Sequence, residues 1–377
     1  MSRALVLSGG GARAAYQVGV LRAVSEIAGS SSQPHFPIIC GTSAGAINAL
    51  ALACHAGNFQ RSVSDLYTIW NNLSVEKVIQ SGWIDMAKGV RRVAGSFLTQ
   101  GISDSNPIAL FDNSPLRSLI QSHINFSNLN RAIKANRLEA VSITAMAYGS
   151  GESISFFQGR SEISKWRKFH QVGVPTELNA DHLLASSAIP GIFPTVNIEG
   201  VYYGDGAIRQ LSPLNTALHL GASKIFVVGV SNNRNPAQWG KRPIVRHSPS
   251  VGQMVGHLLN SAFIDSMDSD LGHLEHINEL VSLIPEDIRL KHARAKVIET
   301  ASISPSKELD RIAGRHVRYL PNSMKFFLRS SGATAKAGGA ALASYVLFSH
   351  KYCRALMELG YKDAMWEKQK IESFFED

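Results

Sequence analysis

The N-terminal part of the chain alternates short apolar runs with stretches of helical character. Residues 4–7 form an apolar run that ends in a glycine cluster, and residues 37–40 form a second run that ends at Gly41. Residues 12–28 carry apolar positions at helical spacing, and residues 44–56 are small, apolar and helix-forming. This strand–helix–strand–helix order is typical of a parallel sheet with crossover helices. The pattern therefore predicts an α/β fold.

Further strands are predicted in the middle of the chain. Residues 140–147 and 153–157 are apolar runs around a Gly-Ser-Gly turn, which favours a β-hairpin. Residues 196–203 form a run that leads into the turn Gly204-Asp205-Gly206, and residues 224–230 form another buried strand. All of these elements extend the predicted sheet.

Beyond about residue 235 the pattern becomes mainly helical and polar. We therefore expect an α/β domain at residues 1–235 and a mainly helical C-terminal extension at residues 236–377. The 377 residues, of which 45% are hydrophobic, are sufficient to bury a large core.

Two segments combine apolar and basic residues in a way that leaves their role open. Residues 83–98 predict an amphipathic helix with Trp83 and Phe97 on the apolar face and basic residues such as Lys88 on another. Such a helix suits a membrane surface, but it also suits packing on the protein's own core. Residues 289–336 contain eleven Lys or Arg and three Asp or Glu, so their net charge is +8, nearly all of the chain's +9. This segment predicts either an anionic partner or a solvated helical face.

The ends of the chain and its cysteines indicate a cytoplasmic protein. The first three residues lead directly into the first predicted strand, without the apolar region of a signal peptide. The longest apolar stretch, residues 337–348, is too short to span a membrane. Cys40, Cys54 and Cys353 are an odd number without metal-ligand spacing, so we expect reduced thiols and no metal site.

A candidate nucleophile lies between the second predicted strand and the helix that follows it. The segment Gly41-Thr42-Ser43-Ala44-Gly45 fits the pattern G-x-S-x-G. A nucleophile elbow needs small residues on both sides of the serine because the turn from strand to helix is strained and tight. The N-terminus of the helix favours a developing negative charge at the same place. Ser43 is therefore the predicted nucleophile.

The first glycine cluster is suited to bind an oxyanion. Gly9, Gly10 and Gly11 allow backbone N–H groups to converge, and a helix N-terminus follows them. Because this turn and the serine turn each follow a parallel strand, they should lie at the same edge of the sheet. Arg13 either stabilises the negative charge of the bound oxyanion or anchors the turn.

The same glycines also satisfy the fingerprint of a dinucleotide-binding oxidoreductase, with Gly9 and Gly11 followed by Ala14. That fingerprint requires an acidic residue near the end of the second strand to bind the ribose. Residues 29–40 contain no Asp or Glu, which disfavours the nucleotide-binding interpretation.

The residues alone leave the catalytic base open. A Ser–His–Asp arrangement would take one of the histidines late in the chain, which are His219, His247, His257, His273, His276, His292, His316 and His350. Asp205, between Gly204 and Gly206, is a second candidate, although Asp-Gly is also an ordinary turn sequence.

Taken together, the spaced motifs resemble those of the patatin-like phospholipase family. The resemblance rests on the loop at residues 9–13, the G-x-S-x-G segment, residues 185–194, and Asp205 with Gly206 and Ala207. It covers residues 4–230, and the later chain resembles the helical extension of some bacterial members. Ser8 and Ala14 depart from the family's usual acid and glycine at these positions.

The resemblance implies a three-layer α/β/α sandwich with a mainly parallel central sheet. It implies that Ser43 is the nucleophile, that Asp205 is its base without a catalytic histidine, and that the amides of residues 9–11 form the oxyanion hole. Arg13, Gly41, Gly45 and Gly206 would support that site. The substrates would be phospholipids or other lipid esters, with no cofactor, no metal and no nucleic acid partner. The segments at 83–98 and 289–336 would then offer peripheral contact with anionic membranes.

A protein of another class remains open, namely a non-catalytic module that binds a membrane or a protein and uses a hydrolase fold as a scaffold. The basic and amphipathic segments favour it. The presence of serine, glycine loop and aspartate together argues against it, because a scaffold has no chemical need for all three.

Overall fold

The computed structural model describes residues 2–98, 108–231, 248–291, 296–333 and 340–376. Within these ranges, ten strands form a single mixed sheet. They are β1 (Arg3–Leu7), β2 (Ile38–Thr42), β3 (Ala140–Ala147), β4 (Ser153–Gly159), β5 (Trp166–Lys168), β6 (Gln171–Pro175), β7 (Val196–Ile198), β8 (Val201–Asp205), β9 (Lys224–Val228) and β10 (Glu299–Ile303).

The sheet has a parallel half and a mixed half, in which β4 and β6 are parallel but β3 with β4 and β5 with β6 are antiparallel. The strand order is β10-β9-β1-β2-β3-β4-β6-β5, and the first five strands are mutually parallel. The strand β4 runs antiparallel to β3, and the hairpin of β7 and β8 joins the end of β3. This order confirms the predicted mainly parallel sheet.

Helices cover both faces of the sheet. The described helices are α1 (Ala15–Ile27), α2 (Ala44–Ala53), α3 (Phe59–Asn71), α4 (Trp83–Leu98), α5 (Ser114–His123), α6 (Ser127–Lys134), α7 (Ala180–Ser186), α8 (Pro213–His219), α9 (Val251–Asn260), α10 (Ser266–Ser282), α11 (Glu286–Lys291), α12 (Leu309–His316), α13 (Asn322–Ser330), α14 (Ala340–Val346), α15 (His350–Trp366) and α16 (Lys368–Phe375). A π-helical turn, Ser261–Asp265, joins α9 to α10.

The alternation of side chains along each strand separates two cores. In β1, Leu5 and Leu7 face one core with α1, α2, α3 and α15, whereas Ala4 and Val6 face the other with α8 and α10. The protein is therefore the three-layer α/β/α sandwich that the family resemblance implies.

The C-terminal part is mainly helical, as predicted, but it is not confined to the outside of the sheet. It contributes the edge strand β10, which pairs in parallel with β9, and its helices α14 and α15 share a core with α1. The predicted domain boundary between residues 235 and 236 lies outside the described residues.

Two local predictions need correction. The run at 196–203 is not one strand but the hairpin of β7 and β8, because Glu199 and Gly200 both adopt positive φ and form the turn. The helix α4 has the predicted bounds, but Met86 and Gly89 face the protein while Trp83 and Val90 are exposed. Gly89 is buried because the backbone of Leu110 lies against it, at a distance that no larger residue permits.

None of the described helices is both long enough and apolar enough to cross a membrane. The three cysteines are buried free thiols, and burial raises the pKa of Cys40 to about 12.

Candidate active site

The register of β3 brings two distant turns together. Thr144 pairs with Thr42, the last residue of β2, and the next residue, Ala145, pairs with Asp205, the last residue of β8. Because β2 runs parallel to β3 and β8 runs antiparallel to it, the ends of β2 and β8 meet on the same side of β3. Ser43 directly follows Thr42 and therefore lies beside Asp205.

The two side chains form a short hydrogen bond inside the protein. The Ser43 hydroxyl donates to Oδ2 of Asp205 at 2.6 Å, and the N–H of Ala207 donates to Oδ1 at 3.0 Å. The Asp205 side chain is fully buried. Burial raises the pKa of this carboxyl from 3.8 to about 7, although both hydrogen bonds oppose the shift by stabilising the charged form. The result is a carboxyl that titrates near neutral pH, in contact with a hydroxyl.

Ser43 occupies the strained backbone conformation of a nucleophile elbow, with φ 56° and ψ −129°. The flanking glycines allow this turn. A side-chain carbon at Gly41 would lie 2.6 Å from Cα of Ala46, and one at Gly45 would lie 2.4 Å from the carbonyl oxygen of Leu7. Both positions therefore require glycine, which agrees with the reason for predicting an elbow from the sequence.

The glycine loop lies against the serine. A carbon added to Gly9 would approach Cβ of Ser43 to 3.1 Å, so the two turns are in contact. The N–H groups of Gly9 and Gly10 donate to no acceptor among the described residues. Gly11 has φ +54° and begins a short 3₁₀ turn that leads into α1. Unpaired amides beside the hydroxyl are suited to receive a negative oxygen.

Two side chains fill the positions that a Cβ atom would take at Gly9 and Gly10. A carbon added to Gly9 would lie 2.5 Å from the ring of Phe263, and one added to Gly10 would lie 2.8 Å from the side chain of Val230. A dinucleotide needs close access to these glycines for its pyrophosphate. Phe263 and Val230 crowd these glycines, and this packing, together with the absence of Asp and Glu from residues 29–40, disfavours the oxidoreductase alternative.

The segment 185–194 supports both members of the pair. The Ser186 hydroxyl accepts a hydrogen bond from the N–H of Ser43 at 2.8 Å and donates to the carbonyl of Thr144 at 2.6 Å. The carbonyl of Ala188 accepts from the N–H of Asp205 at 2.9 Å. Reasoning from the sequence assigned no role to Ser186 or Ala188. The only signal for them was the resemblance of the whole segment to the family.

Gly206 and Arg13 are the remaining two site residues that the sequence analysis names. A carbon at Gly206 would lie 2.1 Å from the carbonyl oxygen of Thr144, so glycine is required where the chain leaves Asp205. The guanidinium of Arg13 is buried and forms an ion pair with Asp310 of α12. These contacts are those of an anchor for the glycine loop.

Within the described ranges, no histidine forms a hydrogen bond to Ser43 or Asp205. His219 stacks on Trp166 at 5.0 Å between ring centroids, and His316 contacts the backbone of its own helix. The late histidines His247 and His292 lie outside the described residues.

An apolar groove leads away from Ser43. The groove is narrow, with a free volume of about 60 Å³. Its walls come mainly from α2, α3 and α5, and include Ile47, Ala51, Leu66, Ile69, Trp70, Leu116, Leu119 and Ile120. The groove was not predicted, because its walls come from helices whose relative positions the sequence does not reveal.

No cluster of three or more His, Cys, Asp or Glu side chains suited to a metal ion occurs among the described residues.

The α/β/α sandwich and the serine on a strand-to-helix turn are features that serine hydrolases share. The family model for patatin-like phospholipase matches residues 5–218, more than half of the chain, and the chain belongs to that family. Membership supports lipid hydrolase activity and confirms the resemblance seen in the motifs.

Two individual proteins are similar to this chain. The uncharacterised protein YjjU of Escherichia coli K12 is 26% identical over 243 residues, which are 63% of this chain and 55% of YjjU. The chain thus spans about half the length of that relative. The crystal structure of VipD from Legionella pneumophila aligns with 100% of this chain and 88% of its own, with 12% identity and a TM-score of 0.33.

Proposed function

We propose that this protein is a serine lipid acyl hydrolase of the phospholipase A or lysophospholipase type, with Ser43 and Asp205 as its catalytic pair. The observation that carries the proposal is the 2.6 Å hydrogen bond from the Ser43 hydroxyl to the buried Asp205 carboxylate. The adjacent glycine amides and the apolar groove support the proposal as a candidate oxyanion site and a candidate site for an acyl chain.

In the first half of the reaction, Asp205 accepts the hydroxyl proton while Ser43 Oγ attacks the ester carbonyl carbon. The carbonyl oxygen becomes an oxyanion, which the N–H groups of residues 9–11 stabilise by hydrogen bonds. When the intermediate collapses, the bond from carbon to the alcohol oxygen breaks. The leaving alcohol takes the proton from Asp205, and the acyl group remains on Ser43.

In the second half, water replaces the alcohol. Asp205 removes a proton from the water as it attacks the acyl carbon, and returns that proton to Ser43 Oγ when the fatty acid leaves. A carboxyl with its pKa near 7 is suited to both steps, because at neutral pH it is often ionised and yet more basic than an exposed aspartate.

The groove favours an acyl chain as the part of the substrate next to Ser43. Ala44, Ile47 and Ala51 line it at positions i, i+3 and i+7 of α2. At 1.5 Å per residue, this side of α2 follows the groove for about 10 Å from the nucleophile. Each methylene group that an acyl chain buries in this apolar groove would favour binding by roughly 0.8 kcal/mol.

A fluorophosphonate probe tests the proposal. We expect it to phosphonylate Ser43 and no other residue, because only a hydroxyl activated by a base attacks phosphorus rapidly. Peptide mapping by mass spectrometry would locate the adduct, with Ser187 of the same groove as the internal control. An unlabelled Ser43 in the folded protein would contradict the proposal and favour the non-catalytic module. Lipidomics of a lipid extract digested by the protein would then identify the head group and acyl chain.

We further propose that the protein contacts anionic membranes peripherally through parts of 83–98 and 289–336. Trp83 and Phe326 are 57% and 60% exposed, and their ring centroids are 5.7 Å apart, so α4 and α13 form one aromatic surface. Lys88 and Arg91 of α4 and Arg329 of α13 are also exposed. Aromatic rings beside cations suit the interface of an anionic bilayer.

Vesicle binding tests this surface, which consists of Trp83, Phe326, Lys88, Arg91 and Arg329. We expect the double variant Trp83→Ser, Phe326→Ser to bind vesicles of phosphatidylcholine and phosphatidylglycerol about 10-fold more weakly, because buried aromatic area is lost. Binding of the unaltered protein should also weaken as salt is raised. Co-sedimentation measures both effects.

The matched control for this experiment is Trp366→Ser, because Trp366 is 89% exposed on a different helix, α15. An equal loss in the control, or no binding of the unaltered protein to anionic vesicles, would refute the membrane proposal.

A further inference from the structure

The glycine loop is anchored by the buried guanidinium of Arg13. The Arg13 side chain is only 3% exposed. Its Nε donates to the Ser344 hydroxyl at 2.7 Å, and its Nη2 donates to Oδ1 of Asn260 at 3.2 Å and to Oδ1 of Asp310 at 2.5 Å. These partners belong to α14, α9 and α12, three separate helices of the C-terminal part. All three lie outside residues 5–218, the part matched by the family model.

The partners of Arg13 also bind one another. The Ser344 hydroxyl lies 3.1 Å from Oδ1 of Asp310, and the Tyr345 hydroxyl donates to Oδ1 of Asn260 at 2.9 Å. The ring of Tyr345 lies over the guanidinium, 4.1 Å from Cζ of Arg13. Asp310 supplies the only carboxylate that pairs with Arg13 among the described residues. A buried guanidinium depends strongly on such a partner, since removing it leaves an uncompensated charge.

The same C-terminal segments touch the glycines themselves. A carbon at Gly11 would lie 2.2 Å from the carbonyl oxygen of Tyr345, and one at Gly9 would lie 2.5 Å from Phe263 in the π-helical turn. The backbone N–H of Arg13 also donates to the carbonyl of Gly10 at 3.1 Å. A displacement of Arg13 or Tyr345 would therefore move the loop that faces Ser43.

From these contacts we propose that Asp310 is a positioning residue, which acts through Arg13 to hold the amides of residues 9–11 in place beside Ser43. The inference rests on the proposed acyl hydrolase function and adds to it a requirement for the C-terminal part. Asp310 touches neither the serine nor the groove, so it affects the reaction only through the geometry of the oxyanion donors. Misplacement of such groups by about 1 Å can cost roughly 100-fold in rate.

The variant Asp310→Asn tests the proposal, because it keeps the size of the side chain and removes its charge. We expect kcat for a lipid ester to fall roughly 10- to 100-fold, with KM nearly unchanged. The pH at which activity reaches half its maximum should stay the same, because Ser43 and Asp205 are not altered. Asp310→Glu, which keeps the charge, should restore part of kcat.

The matched control is Glu308→Gln, which removes a carboxylate next to the start of the same helix. Glu308 pairs with the exposed Arg311, away from Arg13. Equal losses of kcat in Asp310→Asn and Glu308→Gln, or a wild-type kcat in folded Asp310→Asn, would overturn the inference. Should Asp310→Asn fail to fold, Ser344→Ala tests the inference instead, because it removes a neutral hydrogen bond to Arg13. We then expect the same result, a lower kcat with KM nearly unchanged.

Amide hydrogen exchange provides a readout that does not need turnover. We expect the amides of residues 9–13 to exchange faster in Asp310→Asn than in the unaltered protein, with no such change in Glu308→Gln. Unchanged exchange would also overturn the inference. An unaltered protein without esterase activity would instead refute the proposed function, and exchange would still decide whether Asp310 holds the loop.

Discussion

We expect Ser43→Ala to hydrolyse lipid esters roughly 10⁴-fold more slowly than the unaltered protein, or not measurably, because no acyl-enzyme can form. The change deletes one oxygen atom and leaves the groove and the glycine loop in place. Release of fatty acid from phospholipid micelles, with the fold checked by circular dichroism, measures the effect. Ser187→Ala is the matched control, since Ser187 lines the same groove but donates its hydroxyl to the carbonyl of Leu183. Comparable rates for Ser43→Ala and the unaltered protein would end the proposed mechanism.

A comparison of Ser43→Ala with Ser43→Gly tests the strain of the elbow separately. Both variants lose the hydrogen bond to Asp205, but only glycine relieves the positive φ of 56°. Glycine should therefore raise the free energy of unfolding by about 1–3 kcal/mol relative to alanine. Urea denaturation measures the difference. Equal stabilities would show that the turn at Ser43 stores no strain.

The sheet and the elbow were predictable because their causes are local. Short apolar runs that end in glycines predicted β1, β2 and β9, and the need for tight packing at Gly41 and Gly45 was evident from the spacing around Ser43. The hairpin of β7 and β8 was missed because both strands are apolar and the turn at Glu199 and Gly200 carries no strong turn pair.

The exposed face of α4 could not be predicted from periodicity. The sequence places Trp83 on one apolar face of this amphipathic helix and leaves open whether that face packs on the core or contacts a membrane surface. In the structure, Gly89 lets the helix approach the backbone of Leu110, so the face with the smallest residue is the buried one. The close backbone contact at Gly89 therefore decides which face of α4 is buried, and the hydrophobicity of the side chains does not.

The residues alone likewise could not support the proposal of Asp205, and not a late histidine, as the base. It depends on the register of β3, which pairs with the ends of β2 and β8 at consecutive positions. Such a long-range pairing leaves no mark in the spacing of motifs. The ion pair between Arg13 and Asp310 is hidden for the same reason, because 297 positions separate the two residues along the chain.

We expect Asp205→Asn to lower ester hydrolysis roughly 10³- to 10⁴-fold at pH 8, because an amide does not accept the proton of Ser43. In the unaltered protein, activity should rise as pH increases and reach half its maximum near pH 7, the pKa to which burial raises this carboxyl. The residual rate of the variant should lack this rise. Initial rates from pH 5 to 9, on an ester that is stable over that range, give the profile. A midpoint near pH 4 would mean that Asp205 is not the titrating base.

The same carboxyl makes stability depend on pH, with a sign that follows from its raised pKa. The folded state binds the Asp205 proton more tightly than the unfolded state, so the free energy of unfolding falls as pH rises from about 4 to about 7 and the loss is complete above that. The interval from 3.8 to about 7 corresponds to a free energy on the order of 4 kcal/mol. Asp205→Asn removes this contribution, while the other titrating groups are common to both proteins. The free energy of unfolding of the variant should therefore rise relative to that of the unaltered protein between pH 4 and pH 8. If the difference between the two free energies does not change with pH, Asp205 is ionised as readily in the folded as in the unfolded state.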